Sequence, residues 1–272
     1  MSAAANQPTR RPTVLGARGI GAGLVVALAA VAILGGLVIP GDPLAQSLTK
    51  ALLGPEVTAP LGYDHLGRSV FHRLVHALRL SPLIALAAVA AAGAAGLLLG
   101  TLAAARGGWI DRALVILSDA LLALPGLLLV LIVLAMVPGT AMGFWAGLSL
   151  VLWVEFFRLT RAATRELLAS PAVEASRLLG FGPVYIFRTH VWPEIAPMML
   201  TAAAFGTATA IMAIAALGFV HTGMRAPTPE LGLMMVELLP YWREAPLALL
   251  SPVIAIFALL LGLTLLAGSR ET

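Results

Sequence analysis

Apolar runs dominate this chain, and its polar positions are confined to the gaps between them. Residues 19–41, 80–105, 195–220 and 245–269 each form a run without Asp, Glu, Lys or Arg. A helix crossing a bilayer needs about 20 such residues. Residues 120–154 form a fifth run, 35 residues long. One straight helix of that length would extend about 52 Å, too far for a hydrocarbon core about 30 Å thick. The sequence VPGT (Val137, Pro138, Gly139, Thr140) breaks it with a Pro-Gly turn, so it holds two crossings. The pattern therefore predicts an all-α membrane protein with six transmembrane helices. Fitting two crossings into this run draws Asp119 and Glu155 to, or inside, the membrane boundary. The first apolar run is too long for the core of a signal peptide, and no small-x-small site follows it, so an uncleaved anchor is expected.

Polar residues set the orientation. Six crossings put both termini on one side. With the N-terminus inside, Arg10, Arg11, Arg18, Arg106, Arg112, Arg158, Arg161, Arg165, Arg177, Arg188 and Arg270 face the cytoplasm. Lys50, Arg68, Arg73, Arg79, Arg225 and Arg243 then face outward. Basic residues in short loops favour the inner side, so both termini are expected in the cytoplasm. The resulting order is a tail at 1–18, a first crossing at 19–41 and an outer loop at 42–79. A core of five crossings follows at 80–269, with an inner loop at 158–193 and an outer loop at 221–244.

Composition agrees with this layout. Of 272 residues, 60% are hydrophobic and 11% are charged, against roughly 25% charged in a soluble domain. The net charge of +4 is explained by arginines at the membrane edge rather than by a nucleic-acid partner. There is no cysteine, which excludes disulfides, thiolate metal sites and cysteine nucleophiles. Lys50 is the single lysine and has no glycine frame around it, so the chain carries no nucleotide-binding P-loop. Neither a His-Glu-x-x-His zinc motif nor a Gly-x-Ser-x-Gly nucleophile turn is present. An enzyme embedded in the membrane is therefore disfavoured.

The inner loop breaks the apolar pattern most sharply. Arg158, Arg161 and Arg165 recur on one helical face, and Glu155 is placed to pair with Arg158. Ser170-Pro171 reads as an N-cap followed by Pro at the first helical position. Gly180 stops a helix spanning 171–179, and Gly182-Pro183 restarts the chain. A helix that short needs a surface to pack on. It either lies in a solvated loop facing lipid phosphates or docks on a cytoplasmic partner.

The segment EASRLLGFGPVYIFRTHVWP, beginning at Glu174, resembles the EAA loop of permeases in bacterial ATP-binding-cassette importers. Glu174, Ala175, Gly180 and Pro193 match that pattern. Ser176 replaces its third small residue, and Trp192 stands where Leu is usual. His190 before the final Pro is typical of the peptide and nickel branch. LGYDHLGRSVFHRL (from Leu61), GGWIDRALVILSDALLALPGLLL and APTPELGLMM (from Ala226) are similar to other segments of that branch. The resemblance covers nearly the whole chain after Leu61.

The resemblance implies a type I importer permease, the second permease chain of a pair, in the bacterial inner membrane. It implies a homologous permease, two cytoplasmic ATPase subunits and a periplasmic binding protein as partners. ATP and Mg would bind on the ATPases, with no cofactor in this chain. Glu174, Ala175, Ser176, Arg177, Gly180 and Pro193 would form the ATPase-coupling contact. The implied cargo is nickel, a metal chelate, or a di- or oligopeptide. The His and Met content, and an ending that lacks the charged tail usual in peptide permeases, tilt the reading toward a metal.

Three other groups of residues carry candidate chemistry. His221, Met224 and Arg225 follow the fifth run on the outside, where the family usually has Gly-Leu-Gly at 221–223. They are candidates for the cargo path, although Met and His at such places ordinarily pack or cap. His72 and His76 share a helical face, which suits either a metal or an amphipathic helix lying on the membrane, and the second role is favoured. Asp119 lies two turns from Arg112 on one face, so a structural pair is expected rather than a proton carrier. Proton-coupled transport remains the alternative mechanism, and it would require Asp119 to titrate.

Overall fold

The computed structural model describes residues 14–268, with side chains from residue 16 onward. Arg10, Arg11 and Arg270, counted above toward the inner side, lie outside the described residues. The helices are α1 (Val14–Val38), α2 (Val70–Arg106), α3 (Gly108–Leu122), α4 (Gly126–Met136) and α5 (Ala141–Leu168). There follow α6 (Pro171–Leu178), α7 (Pro183–Ile186), α8 (Trp192–Phe219), α9 (Leu231–Leu238) and α10 (Pro246–Ala267). Among the described residues there is no strand, only isolated bridges at Glu56–Ala59 and Tyr63–Ser69. The protein is all-α, as its hydrophobic pattern predicts.

Among the described residues five helices are long and apolar enough to cross a membrane, and α3 with α4 makes a sixth crossing if that bent pair is counted as one. The pair bends by 88° at Leu124-Pro125. Pro125 has no N–H to continue the α3 ladder, and α4 restarts with it as the N-terminal flank. The Pro-Gly turn at Val137–Thr140 separates α4 from α5, where Thr140 Oγ1 accepts from the Gly143 N–H at 3.2 Å and caps the new helix.

Close approach of α2 to α5 organises the core. A Cβ at Gly96 would sit 2.4 Å from Phe156 Cβ, and one at Gly100 would sit 2.8 Å from the Phe157 carbonyl oxygen. Small residues let two helix backbones meet where the bilayer supplies no hydrophobic drive between them. Phe144, Leu148, Leu152, Phe156 and Phe157 of α5 are buried there with Ala85, Ala88 and Ala92 of α2. Ile211, Ile214 and Leu217 of α8 complete this core. A second core joins α1, the start of α2, α9 and α10 through Ala32, Val70, Leu74, Leu231, Met234 and Leu259.

Helix α2 begins ten residues before the apolar run that predicts it, which corrects the reading of His72 and His76. They occupy the first turns of α2, where His72 is buried and His76 partly buried. His72 is buried, with Nδ1 2.8 Å from Ser69 Oγ and Nε2 2.8 Å from the Ile39 carbonyl. The inner loop is also shorter than expected, because residues 158–168 continue α5 and residues 192–193 open α8.

Candidate functional site

The inner loop is built around α6. Ser170 occupies the N-cap position, but its side chain makes no cap bond; its backbone carbonyl accepts from the Val173 and Glu174 N–H groups, each at 3.1 Å. Glu174 in the first turn and Arg177 in the last complement the helix dipole. Gly180 closes the helix with φ +84°. Its N–H reaches the Arg177 carbonyl at 3.0 Å, and the Phe181 N–H reaches the Ser176 carbonyl at 3.1 Å. These two bonds form a Schellman motif, which favours glycine at the left-handed position.

Only one edge of α6 is buried. Val173 and Ser176 face inward, while Glu174, Ala175, Arg177, Leu178, Leu179 and Gly180 are exposed. Leu178 is 84% and Leu179 76% exposed. That is a large apolar surface for a helix at the C-terminal end of α5. Ser176 Oγ lies 3.0 Å from the Ala172 carbonyl and 2.8 Å from His190 Nε2. The departure at position 176 therefore supplies a hydroxyl that ties α6 to the return segment. Phe181 stacks on Tyr185 with ring centres 4.1 Å apart, and Tyr185 meets His190 edge-on. Pro193 is exposed in the first turn of α8. Its ring lacks an N–H and would crowd the Thr189 carbonyl in a regular helix. The chain answers with a π turn over Phe187–Val191, in which the Trp192 N–H bonds to the Phe187 carbonyl. The loop and its neighbours enclose a cleft of about 290 Å³, with Arg177, Phe181 and Phe187 among its walls.

Charged pairs fasten the inner half of α5 to α3. Arg158 bonds Asp119, and Arg161 forms a two-pronged pair with Asp111. The expected partners were different. Asp119 does not pair with Arg112, because two turns along one helix separate the charges by about 10 Å. Arg158 does not pair with Glu155, since Asp119 of the neighbouring helix takes its guanidinium.

On the outer side, His221, Met224 and Arg225 line one cavity of about 490 Å³. Its opposite wall is Leu131, Leu134 and the Pro138–Gly139 turn. Met224 is buried there, and the Arg225 side chain lies against Gly139. His221 has φ +60° and ends α8 as Gly180 ends α6. Its N–H bonds to Gly218 O, and the Thr222 N–H bonds to Leu217 O. A side chain in this conformation costs about 1–2 kcal/mol, and strained residues of this kind gather at functional sites. Among the described residues no three His, Asp or Glu converge as a metal-holding group.

An outer cluster escaped the sequence. Asp64 Oδ2 bonds Arg68 Nε at 2.6 Å, while its Oδ1 accepts from the Leu66 and Arg68 N–H groups, each at 2.9 Å. Arg68 also reaches Glu237 at 3.0 Å, and Arg73 bonds Glu237 and lies 3.6 Å from Asp64. Both arginines are buried. The spacing of Asp64 and Arg68 signals a local pair, but nothing in the sequence points to Glu237 in α9. Glu230 was also missed. It is buried and caps α9 by accepting from the Gly232 and Leu233 N–H groups, each at 2.9 Å. Burial pushes its carboxyl above the ordinary range, against the pull of those bonds.

Comparison with known proteins places this architecture. Residues 96–269 match the family described as binding-protein-dependent transport system inner membrane component. The chain is 29% identical to a dipeptide transport system permease protein of Haemophilus influenzae over 259 residues, covering 93% of this chain and 88% of that one. It is 29% identical to a nickel transport system permease protein of Escherichia coli over 246 residues, covering 90% and 89%. It is 34% identical to a di/tripeptide transport system permease protein of Pseudomonas aeruginosa over 221 residues, covering 81% and 73%.

Proposed function

Because the chain belongs to the binding-protein-dependent transport system inner membrane components, within the dipeptide and nickel permeases of ATP-binding-cassette importers, we propose that α6 is the contact through which a separate ATPase drives it. The protein is a multi-pass protein of the bacterial inner membrane. The observation that carries the reading is α6 itself. It is held by one buried edge and leaves Glu174, Ala175, Arg177 and two nearly bare leucines exposed. A groove on an ATPase subunit would cover that face. Closure of two such subunits on ATP would shift α6, and with it α5 and α8, between inward and outward access. Gly180 and Pro193 shape the two ends of the moving segment.

The remaining parts follow the same reading. A second homologous permease completes the pathway, and a periplasmic binding protein presents cargo at the outer face. Both termini lie in the cytoplasm, and ATP with Mg binds on the ATPases. Cargo passes the outer cavity at His221, Met224 and Arg225. It is nickel, a metal chelate or a short peptide. Met and His suit a metal, while Arg225 suits a peptide carboxylate.

Gly180→Arg tests the contact. A Cβ at Gly180 meets nothing within 4 Å, and holding an arginine at its left-handed φ of +84° costs only about 1–2 kcal/mol, so the variant should insert and fold. It should still assemble with its partners while ATP hydrolysis no longer produces uptake. Uptake at the unsubstituted rate would overturn the docking reading. Uptake that persists without ATP and follows Asp119 titration would support a proton-coupled carrier instead.

A further inference from the structure

The coupling reading gives no role to Glu155, the charge of α5 farthest from the inner loop. Glu155 is exposed, and no ion pair or hydrogen bond to another described residue satisfies its carboxylate. The nearest cation along the helix, Arg158, is taken by Asp119. Glu155 stands about 21 Å along α5 from Ala141, so a hydrocarbon core about 30 Å thick that begins at that end of the helix would contain it. A carboxylate at that depth does not face lipid tails; it faces water, a cation or another protein chain.

The surroundings are concave. Glu155 shares a cavity of about 370 Å³ with Leu159 of α5 and with Pro197, Met198, Thr201 and Phe205 of α8. It is the only charged residue among the residues lining that cavity. The Thr201 hydroxyl donates to the Pro197 carbonyl at 3.1 Å, so that hydroxyl does not neutralise the carboxylate. The cavity also lies between the two helices that the inner loop joins. Under the coupling reading, a displacement of α6 would reach both walls and change the space between them.

We propose that Glu155 is a cargo-binding residue in the membrane interior, where it meets the cationic group of the molecule in transit. This rests on the importer reading above. The cargoes named for the relatives differ in size, yet a dipeptide and a nickel ion each present a cation. A carboxylate flanked by an aromatic ring and a thioether accepts either an ammonium group or a divalent metal. A single carboxylate holds such a group weakly enough to release it, which transit requires.

The test uses the whole importer, purified with its partner chains and reconstituted into liposomes. Uptake of Ala-Ala, of N-acetyl-Ala-Ala and of nickel ion is followed with ATP present. Glu155→Gln should lower uptake of the cationic probe at least tenfold, and Glu155→Asp should stay within about threefold of the unsubstituted protein. ATP hydrolysis should persist in both. A fall confined to Ala-Ala identifies an ammonium cargo, and a fall confined to nickel identifies a metal. Uptake unchanged in Glu155→Gln overturns the proposal, as does an unsubstituted importer that carries neither cationic probe. Loss of the second permease chain on purifying Glu155→Gln also overturns it, by making Glu155 an intersubunit pair. If the unsubstituted complex holds no ATPase, the importer reading itself fails. That result is read from the purification alone, before any uptake is measured.

Discussion

The inner loop and the outer segment are opposite solutions to placing polar residues at the end of a membrane bundle. The inner loop holds α6 by Val173, Ser176 and one hydroxyl–imidazole contact, and it leaves its leucines bare. The outer segment buries Asp64, Arg68 and Arg73 against Glu237 and seals them with α9. Its charges satisfy one another within the chain, whereas the inner loop presents surface that nothing among the described residues covers. Under the coupling reading the difference is mechanical. The outer end keeps its shape through the cycle, and the inner end is made to be held and moved.

Breaking the outer cluster should give the largest effect. Glu237→Ala leaves two buried guanidinium groups facing the single carboxylate of Asp64. Removing one member of a buried ion pair costs about 3–5 kcal/mol. The detergent-solubilised protein should melt at a markedly lower temperature, with α9 detaching from α2. If the melting temperature stays within a degree or two, the outer segment is not the rigid partner in the comparison.

The matching change on the inner side should be much smaller. Ser176→Ala restores the small residue usual in the family and removes the contact to His190. One hydrogen bond is worth about 1 kcal/mol. Global melting should barely move, while tryptic cleavage at Arg177 and Arg188 should quicken several-fold. A loss of global stability as large as that of Glu237→Ala would erase the contrast between the two ends.

Much of this was legible in the sequence, for physical reasons specific to membranes. Apolar runs long enough to cross a bilayer fix the helices, and the Pro-Gly turn after Val137 falls where the pattern puts it. The α6 helix was legible because Pro171 and Gly180 are local signals, each acting on its own stretch of backbone. What escaped was pairing across the fold. Arg158 chooses Asp119 on α3 rather than Glu155 on its own helix. Arg73 chooses Glu237, 164 residues away. Ser176 finds His190 across the loop. Such contacts depend on how helices lie together, and periodicity along one helix carries no trace of that. The start of α2 was missed for a related reason. The polar faces of His72 and Arg73 look solvent-facing until the outer segment folds over them.

The smallest effect concerns a charge that is polar but not buried. Lys50 bonds Glu56 at 2.8 Å and Tyr63 at 3.0 Å, and Glu56 also accepts from the Thr58 hydroxyl at 2.7 Å. These donors hold the Glu56 carboxyl down to about 2 and push the Lys50 ammonium above its usual range. A depressed carboxylate contributes stability that is present above its ordinary pKa and is lost as pH falls through the depressed one. The window therefore runs from about 4.5 down to about 2. Pepsin cleavage of the turn around residues 48–62 should accelerate modestly as pH drops from 4.5 to 2.5, beyond the protease's own pH dependence. In Glu56→Gln that acceleration should vanish, because the titrating group is gone. The buried cluster a few residues on should show no cleavage in either protein, since Asp64 and Arg68 are shielded from water by α9. Cleavage spreading past Asp64 at the same pH would mean that the outer segment loosens as one unit, and that its rigidity begins at the exposed turn rather than at the buried charges.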